Sequence, residues 1–526
     1  MKSSGVVKIV GFHSGKDVAY AILENGVPVV HEELERISRK KMELADGLTF
    51  FFSRCEKYDD VKYFTFGNPG GREGKYEEIY GDKKSDAKMY KTIEKNHGQF
   101  LEIGHHRSHA ANAFFTSSFD KSLIITVDGG GYEDKCFLTA LTISEGINNT
   151  INMIKAYPRN EINLGRIYNQ STRLIFNLST GFPRGSQAGT VMAMSTFGKA
   201  KYYEMFSDFG NNWRELKRIA SLSEQDKFDV AASLQQWTEQ AFRKHIEKYI
   251  NESNNTNICF SGGVSLNCVM LGKMKTWFPK IKNMFCDPVP YDAGVALGSA
   301  RYLWHHVLHN PRIKNNFQNM SPYLGITYTK KDVDNACSLY QGKIKLERAT
   351  DEEVLNRISK QKIIAVFGDK SESGRRALGN RSILADPRNA TMKDLINQKV
   401  KHREWFRPLS PSILEEKVGE WFEDPVSSPY MSFALKFKSD MRAKAPAVVH
   451  FDGTGRLQTV NKILSPWYHS FIQKWESLSG VPILINTSFN DREPIVETPE
   501  DALECFLGTD IDNLYFFDYG ILVTKS

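Results

Sequence analysis

At 526 residues the chain is too long for one hydrophobic core, so two or three domains are expected, and its 41% hydrophobic and 25% charged content is ordinary for a soluble globular protein. The net charge of +7 is mild and the lysines are spread over several segments, which fits anionic substrates such as nucleotides or phosphates and permits nucleic acid without arguing for it. The opening MKSSGVVKIVGFHSG is no signal peptide, no apolar run spans a bilayer, and seven scattered cysteines without a CxxC pair exclude a disulfide framework or zinc knuckle and point to a cytoplasmic protein.

VVKIVGF reads as a strand and HSGKD as a loop. VAYAILENGVPVV reads as two strands around Asn25–Gly26, a strong hairpin signal, and EELERISRKK is helix-favouring. Segment 104–115, GHHRSHAANAFF, puts His105 and His109 one turn apart on one face if it is helical. Near residue 122 the opening order recurs: SLIITV is a strand, DGGGYEDK a Gly-rich loop, and CFLTALTISEGINNTINMIKAYP another strand pair. Strand, loop and hairpin stated twice predict a duplicated α/β unit, as in the actin, sugar-kinase and Hsp70 ATPase (ASKHA) architecture. Residues 212–251 carry apolar positions at helical spacing, NICF is a strand running into SGGVSLN, and PYDAGVALGSARYLWHHVLH starts as a loop and continues as a long helix. The stretch 310–350 is polar and poor in signals, so the boundary is placed near 345, dividing the chain into 1–345 and 346–526. Beyond it KIIAVFGD, PYMSFALKF, VPILIN and GILVTK are the strands expected of a second α/β domain.

His105 and His109, with Asp128 at the end of a strand and Asp292 in a Gly-flanked loop, make a mixed nitrogen–oxygen set suited to iron, manganese or zinc if they converge. The other reading of the same residues is a polar helix start and a turn-forming aspartate. WHHVLH repeats the spacing at His305, His306 and His309 with no strand ending in Asp-Gly-Gly after it, and reads as a structural helix. The Gly-rich turns 128–131 and 261–267 let backbone N–H groups approach phosphate oxygens, which makes Gly129, Gly130, Gly262, Gly263 and Asn267 candidate nucleotide-binding residues. Neither turn is a Walker loop or a GxGxxG fingerprint, and tight turns without a ligand remain the alternative. The densest signal is the run from 373 to 414, which packs Arg375, Arg376, Arg381, Arg388, Lys399, Lys401, Arg403 and Arg407 between glycines and prolines. Guanidinium groups grip phosphate or carboxylate bidentately, and with only Trp405 and Phe406 available for stacking the run reads as a small-molecule phosphate pocket, or else as a solvated basic face.

The ordered motifs HHRSHAANAF, TVDGGG, GTVMAMSTFG, SGGVSLN, PYDAGVALG, RRALGNRSILADPR, VKHREWFRPLSPSIL and LINTSFN resemble the ATP-dependent O-carbamoyltransferases of nodulation-factor and antibiotic biosynthesis. The resemblance implies a TsaD-like N-terminal domain for carbamoyl transfer and a YrdC-like C-terminal domain that converts carbamoyl phosphate and ATP to carbamoyl-adenylate. It implies that His105, His109, Asp128 and Asp292 ligate a divalent metal, iron first, with manganese, zinc or magnesium as alternatives. It further implies that Arg376, Lys401, Arg407, Arg456, Asn486 and Ser488 form the carbamoyl phosphate and ATP pocket, and that His13 is a candidate base near the acceptor. The chain departs from the family where HSGKDVAY follows its first strand and where Arg375 stands in place of a common proline.

The expected reaction is therefore carbamoyl transfer to an acceptor hydroxyl, of a small molecule or a hydroxymethylated pyrimidine nucleotide, with nucleic acid entering only as acceptor and no membrane partner. The alternatives are hydrogenase-maturation-like transfer to a protein thiol, which brings Cys clusters this chain lacks, and a non-catalytic nucleotide-binding protein.

Overall fold

The computed structural model describes residues 6–42, 61–67, 99–133, 138–180, 186–313 and 317–526; Cys55 and Cys136 lie outside them, and the other five cysteines are buried. The chain forms two compact units, Met1–Met270 with Met274–Met320, and Leu271–Lys273 with Ser321–Ser526.

In the first unit β1 (Lys8–His13), β2 (Ala19–Glu24) and β3 (Val27–Glu33) form an antiparallel meander. Asn25 and Gly26 join β2 to β3 with φ values of 48° and 83°, the left-handed pair that matches the strands' twist. The strands β4 (Val61–Phe66) and β5 (Gln99–Glu102) add in parallel on the other side of β1, giving the order β3-β2-β1-β4-β5. A second sheet repeats that plan. The strands β6 (Lys121–Tyr132), β7 (Leu138–Ile147) and β8 (Thr150–Pro158) form the meander, and β9 (Asn257–Ser261) and β10 (Asn283–Cys286) add in parallel beside β6. Its order, β10-β9-β6-β7-β8, is the first sheet's order with each strand advanced by five. The expected duplication of the actin and sugar-kinase plan is thus present in the topology itself.

The helix Gly294–Tyr302 packs on β1, on β2 and on the helix His105–Thr116. It approaches so closely that a Cβ on Gly11 would lie 2.0 Å from the Ala296 carbonyl oxygen, and one on Gly298 would lie 1.9 Å from that of Ser108. Gly67, at the end of β4, would likewise strike Val295 at 2.1 Å. The helical stretch expected over 212–251 is two helices, Phe209–Ala220 and Glu224–Glu252. Ser223 separates them by accepting the Asp226 N–H and starting the second one.

The second unit is built on an eight-stranded mixed sheet. In chain order its strands are β11 (Ile344–Arg348), β12 (Ile364–Phe367), β13 (Arg381–Ala385), β14 (Ser410–Leu414), β17 (Gln458–Val460), β18 (Ile483–Ser488), β19 (Asn513–Phe516) and β20 (Ile521–Lys525). They lie in the order β11-β20-β19-β12-β13-β18-β14-β17, with β15 (Ala434–Lys436) and β16 (Thr454–Arg456) as a separate ribbon. Fully buried Trp475, on the helix Pro466–Ser479, centres a core shared with Ile358, Ile364, Val366, Leu384 and Leu484. All four strand segments expected after 345 are strands, although PYMSFALKF contributes only three residues. The unit nevertheless begins at Ser321, ahead of the expected boundary. The reason is the helix Lys330–Ser338, which packs on the helix Pro499–Leu507 and is started by a Thr329–Asp332 capping box.

Candidate metal centre

The helix His105–Thr116 starts without a cap of its own. A distant carboxylate supplies one: Glu133, just beyond β6, accepts the backbone N–H groups of His106 and Arg107. That cap fixes the first turn, and the one-turn spacing then brings His105 Nε2 within 3.2 Å of His109 Nε2. Asp128, in β6, sets Oδ2 3.5 Å from His109 Nε2, and Asp292, in the loop between β10 and the helix Gly294–Tyr302, sets Oδ1 3.8 Å from both imidazoles. One ligand atom from each of the four residues falls within 4.8 Å of the others. His106 is turned away, with its ring nitrogens on Thr126 Oγ1 and the Thr139 carbonyl oxygen, tying the helix to the sheet. The second histidine group is structural, as its sequence suggests. His305 meets the Asn310 carbonyl and the Phe115 ring, and His306 accepts the Ile151 N–H and stacks on Tyr302, in a π-helical turn at Leu303–Val307.

The electrostatics of the cluster are set by burial and by the four groups' mutual contact. Burial opposes charge on Asp128, but the hydrogen bond and charge of His109 and the Gly263 N–H outweigh it and hold its pKa well below the usual carboxylate range. Burial likewise opposes protonation of His109, yet Asp128 raises its pKa, while burial and then His109 keep His105 neutral. Asp292 is pushed up to about 8, first by burial and then by the negative charges of Asp128 and Asp17. Two imidazoles facing two carboxylates, one of them destabilised by its neighbours' charge, fit a divalent cation.

The glycines around the cluster serve it directly. A Cβ on Gly131 would lie 2.1 Å from the His105 ring, so that position must be bare. Gly262 has φ +88° and would press a Cβ into the Val127 carbonyl at 2.2 Å, so the second Gly-rich turn needs glycine for both reasons. The N–H groups of Gly129 and Gly263, candidates for phosphate, both donate to the Asp128 carboxylate. Gly130, φ +124°, lies against the Arg159 stem; the Gly-rich loop expected at 128–131 is instead part of β6, an irregular stretch where the register with β7 shifts between Val127 and Gly131. Asn267 spends its amide on Gln235 and accepts the Met270 N–H. Ser261, the last residue of β9 and the first of SGGVSLN, stands 3.4 Å from His109 Nδ1; the signal in that motif is its glycines and Asn267, not this hydroxyl. His13, the last residue of β1, is buried with its ring centroid 6.2 Å from that of His105. Its Nε2 lies 3.2 Å from the Lys16 carbonyl oxygen, and burial, against the pull of Asp17, lowers its pKa to about 4, so it is a neutral imidazole.

In the second unit the basic run divides into residues tied into the fold and guanidiniums that face one another's charge. Arg381 is buried over Phe367 and donates to the Gly368 carbonyl, and Arg388 grips Asp386 while covering Trp475. Lys401 is buried and donates to Ser488 and Asn490, so it pins the end of β18. Ser488 Oγ in turn donates to Asn490 Oδ1, and Asn486 donates to Gln458 and to the Ala377 carbonyl. Arg376 stands in the loop 371–380, folded around Glu372, whose carboxylate accepts the N–H groups of Leu378, Asn380 and Arg381. Arg456 donates to Ser410 Oγ, and Arg407 stands 3.7 Å from Glu404. Arg403 belongs with them. Burial, then the charges of Arg407 and Arg456, push it down to about 9, and its Nη2 is buried with no hydrogen-bond partner among the described residues. Three guanidiniums crowding one another make a site that an anion would stabilise.

Residues 34–217 and 204–301 match the family model described as carbamoyltransferase N-terminus, and residues 355–523 match that described as carbamoyltransferase C-terminus. The chain is 31% identical to an uncharacterized protein of Synechocystis sp. over 97% of its own length and 95% of that protein. It is 33% identical to the nodulation protein NolNO of Sinorhizobium fredii, covering 80% of this chain and 63% of the relative. It is 32% identical to the nodulation protein NolO of Bradyrhizobium diazoefficiens, covering 78% and 77%. Among solved structures it aligns with full-length HypF in the phosphate- and nucleotide-bound form at 14% identity and a TM-score of 0.39, over 57% of this chain and 55% of that one.

Proposed function

The chain belongs to the carbamoyltransferase family, and from that premise we propose that it is an ATP-dependent O-carbamoyltransferase with its two chemical steps divided between the two units. In the second unit carbamoyl phosphate and water give carbamate and phosphate, and carbamate attacks the α-phosphorus of ATP to give carbamoyl-adenylate and pyrophosphate. Adenylation masks the charge that makes carbamate a poor electrophile and installs a good leaving group. Arg403, Arg407 and Arg456 would offset charge on the phosphoryl groups, Arg376 would reach them from the loop around Glu372, and Lys401 would hold Ser488 and Asn486 in place at the end of β18.

In the first unit an acceptor hydroxyl attacks the carbamoyl carbon and AMP departs. Neutral His13 takes the hydroxyl proton. His105, His109, Asp128 and Asp292 would hold a divalent metal, iron first, which when bound supplies Lewis-acid polarisation of the carbamoyl or phosphate oxygens. Gly129, Gly130, Gly262, Gly263 and Asn267 would shape the wall against which the nucleotide lies, acting through the geometry of Asp128, the irregular stretch of β6 and the turn after β9. The acceptor is the hydroxyl of a small molecule or of a hydroxymethylated pyrimidine nucleotide.

The observation that carries this reading is the convergence of four ligand atoms within 4.8 Å in the unit matched by the N-terminal carbamoyltransferase model. The test is radiolabelled carbamoyl phosphate with ATP against a panel of hydroxyl acceptors, read by mass spectrometry. His109→Ala is expected to lose bound metal and product formation while keeping carbamoyl phosphate-dependent ATP–pyrophosphate exchange. Product formation at the wild-type rate by metal-free His109→Ala would remove the metal centre from the reaction.

A further inference from the structure

The four ligands are not held alike. Asp128 is fixed by two backbone N–H groups, from Gly129 and Gly263. The Asp292 carboxylate faces the two imidazoles at 3.8 Å, and its place is set by the residues on either side of it. Tyr291 donates its hydroxyl to Glu33 Oε2 at 2.5 Å, and the Ala293 carbonyl oxygen lies 3.0 Å from His31 Nε2. Both anchors come from β3, at alternate positions that share one face of the strand. All four groups are buried: His31, Glu33, Tyr291 and Ala293 are each at most 4% exposed. The loop therefore hangs between two points on the first sheet, while the other three ligands belong to the helix His105–Thr116 and to β6 of the second.

Resting on the metal-centre reading above, we propose that Glu33 and His31 are positioning residues for the ligand Asp292, clamping the segment Tyr291–Ala293 so that its carboxylate stands at the distance a cation requires. Metal ligands depend on such outer partners for orientation, and losing one costs about 10- to 100-fold in affinity. The neutral His31 ring donates through Nε2, which holds the Ala293 carbonyl at the first turn of the helix that follows.

The experiment is a cobalt(II) titration of the full chain, read by the visible ligand-field spectrum and by competition with a chelator. Tyr291→Phe, which removes only the donor, is expected to weaken cobalt by about 10-fold or more and to change the band positions, because the geometry at Asp292 relaxes. Glu33→Gln keeps both the shape and an acceptor for the phenol and is expected to bind within about threefold of wild type with the wild-type spectrum, and since Tyr291→Phe also keeps the shape, the contrast between the two isolates the hydrogen bond from space-filling. Should Tyr291→Phe fail to fold, Glu33→Asp, which withdraws the carboxylate by one methylene, is expected to weaken cobalt in the same direction. Wild-type affinity and spectrum in folded Tyr291→Phe, or in Glu33→Asp, overturn the clamp. A wild-type chain that binds no cobalt, or binds it as well as His109→Ala does, overturns the metal centre itself and is thereby told apart from failure of the clamp alone.

Discussion

Gly131 decides whether His105 can turn toward His109. A Cβ there would sit 2.1 Å from the imidazole, well inside van der Waals contact, and the buried ring has no open side to retreat to. Gly131→Ala is expected to destabilise the protein by about 1–3 kcal/mol through overpacking and to lower bound metal per chain, checked by thermal melts and by metal analysis after desalting. At this scale the sequence named four residues that the fold brings within 4.8 Å of one another, but not the partners that hold them there. The spacing of His105 and His109 is shared with His305 and His309, and only Asp128 and Asp292, brought from far along the chain, separate a site from a helix. Asn267 was legible as a polar residue in a Gly-rich turn; that its amide faces Gln235, 32 positions earlier, is a through-space fact with no local signal. Arg403 stood in the basic run in plain view, and its grouping with Arg407 and Arg456 depends on the same kind of distant folding.

At the scale of the element, helix starts decide both where the ligands sit and where the units divide. The helix His105–Thr116 borrows its cap from Glu133, whereas Thr329 and Asp332 cap the helix Lys330–Ser338 from within. Glu133→Ala leaves the N–H groups of His106 and Arg107 without their buried acceptor. It is expected to cost about 1 kcal/mol in urea melts, with faster amide exchange confined to the first turn of that helix. A local cap is readable three residues apart, and the Thr-x-x-Asp pattern at 329 was the signal that places the start of the second unit before the polar stretch ends. A borrowed cap is not readable that way, because Glu133 lies 27 positions from His106. Strands were the most legible elements, since the near-continuous apolar runs of β1, β2 and β12 leave few other readings.

Over the whole molecule, two buried histidines, one in each unit, are expected to lower stability on mild acidification, against the opposite contribution of Asp292. His305 in the first unit and His450 in the second have pKa values lowered to about 4, in both cases chiefly by burial, with Arg301 adding at His305 and Arg456 at His450. Below the ordinary histidine value near 6.5 the unfolded chain takes up a proton that the native state refuses until pH 4. Stability is therefore fully present above about pH 6.5 and is lost as pH falls toward 4, by up to about 1.4 kcal/mol per pH unit for each histidine. Urea melts between pH 7 and 5 check this, and His305→Gln and His450→Gln are each expected to flatten the dependence. The duplicated sheet order was legible as a repeated strand–loop–hairpin sentence even though the residues of the two halves barely match, because topology needs only the pattern of apolar runs and turns.

The helix Gly294–Tyr302 meets its neighbours through bare backbone at Gly11 and Gly298. A joint of that kind has no side chain that a second change can shrink to relieve the first. In a saturation library of this chain those two codons are expected to tolerate almost nothing and to lack suppressors among their neighbours, whereas at Gly67, which faces the Val295 side chain, Val295→Ala is expected to act as one. Drift across the family would then run around the joint and leave it fixed, which keeps His105, His109 and Asp292 in one frame.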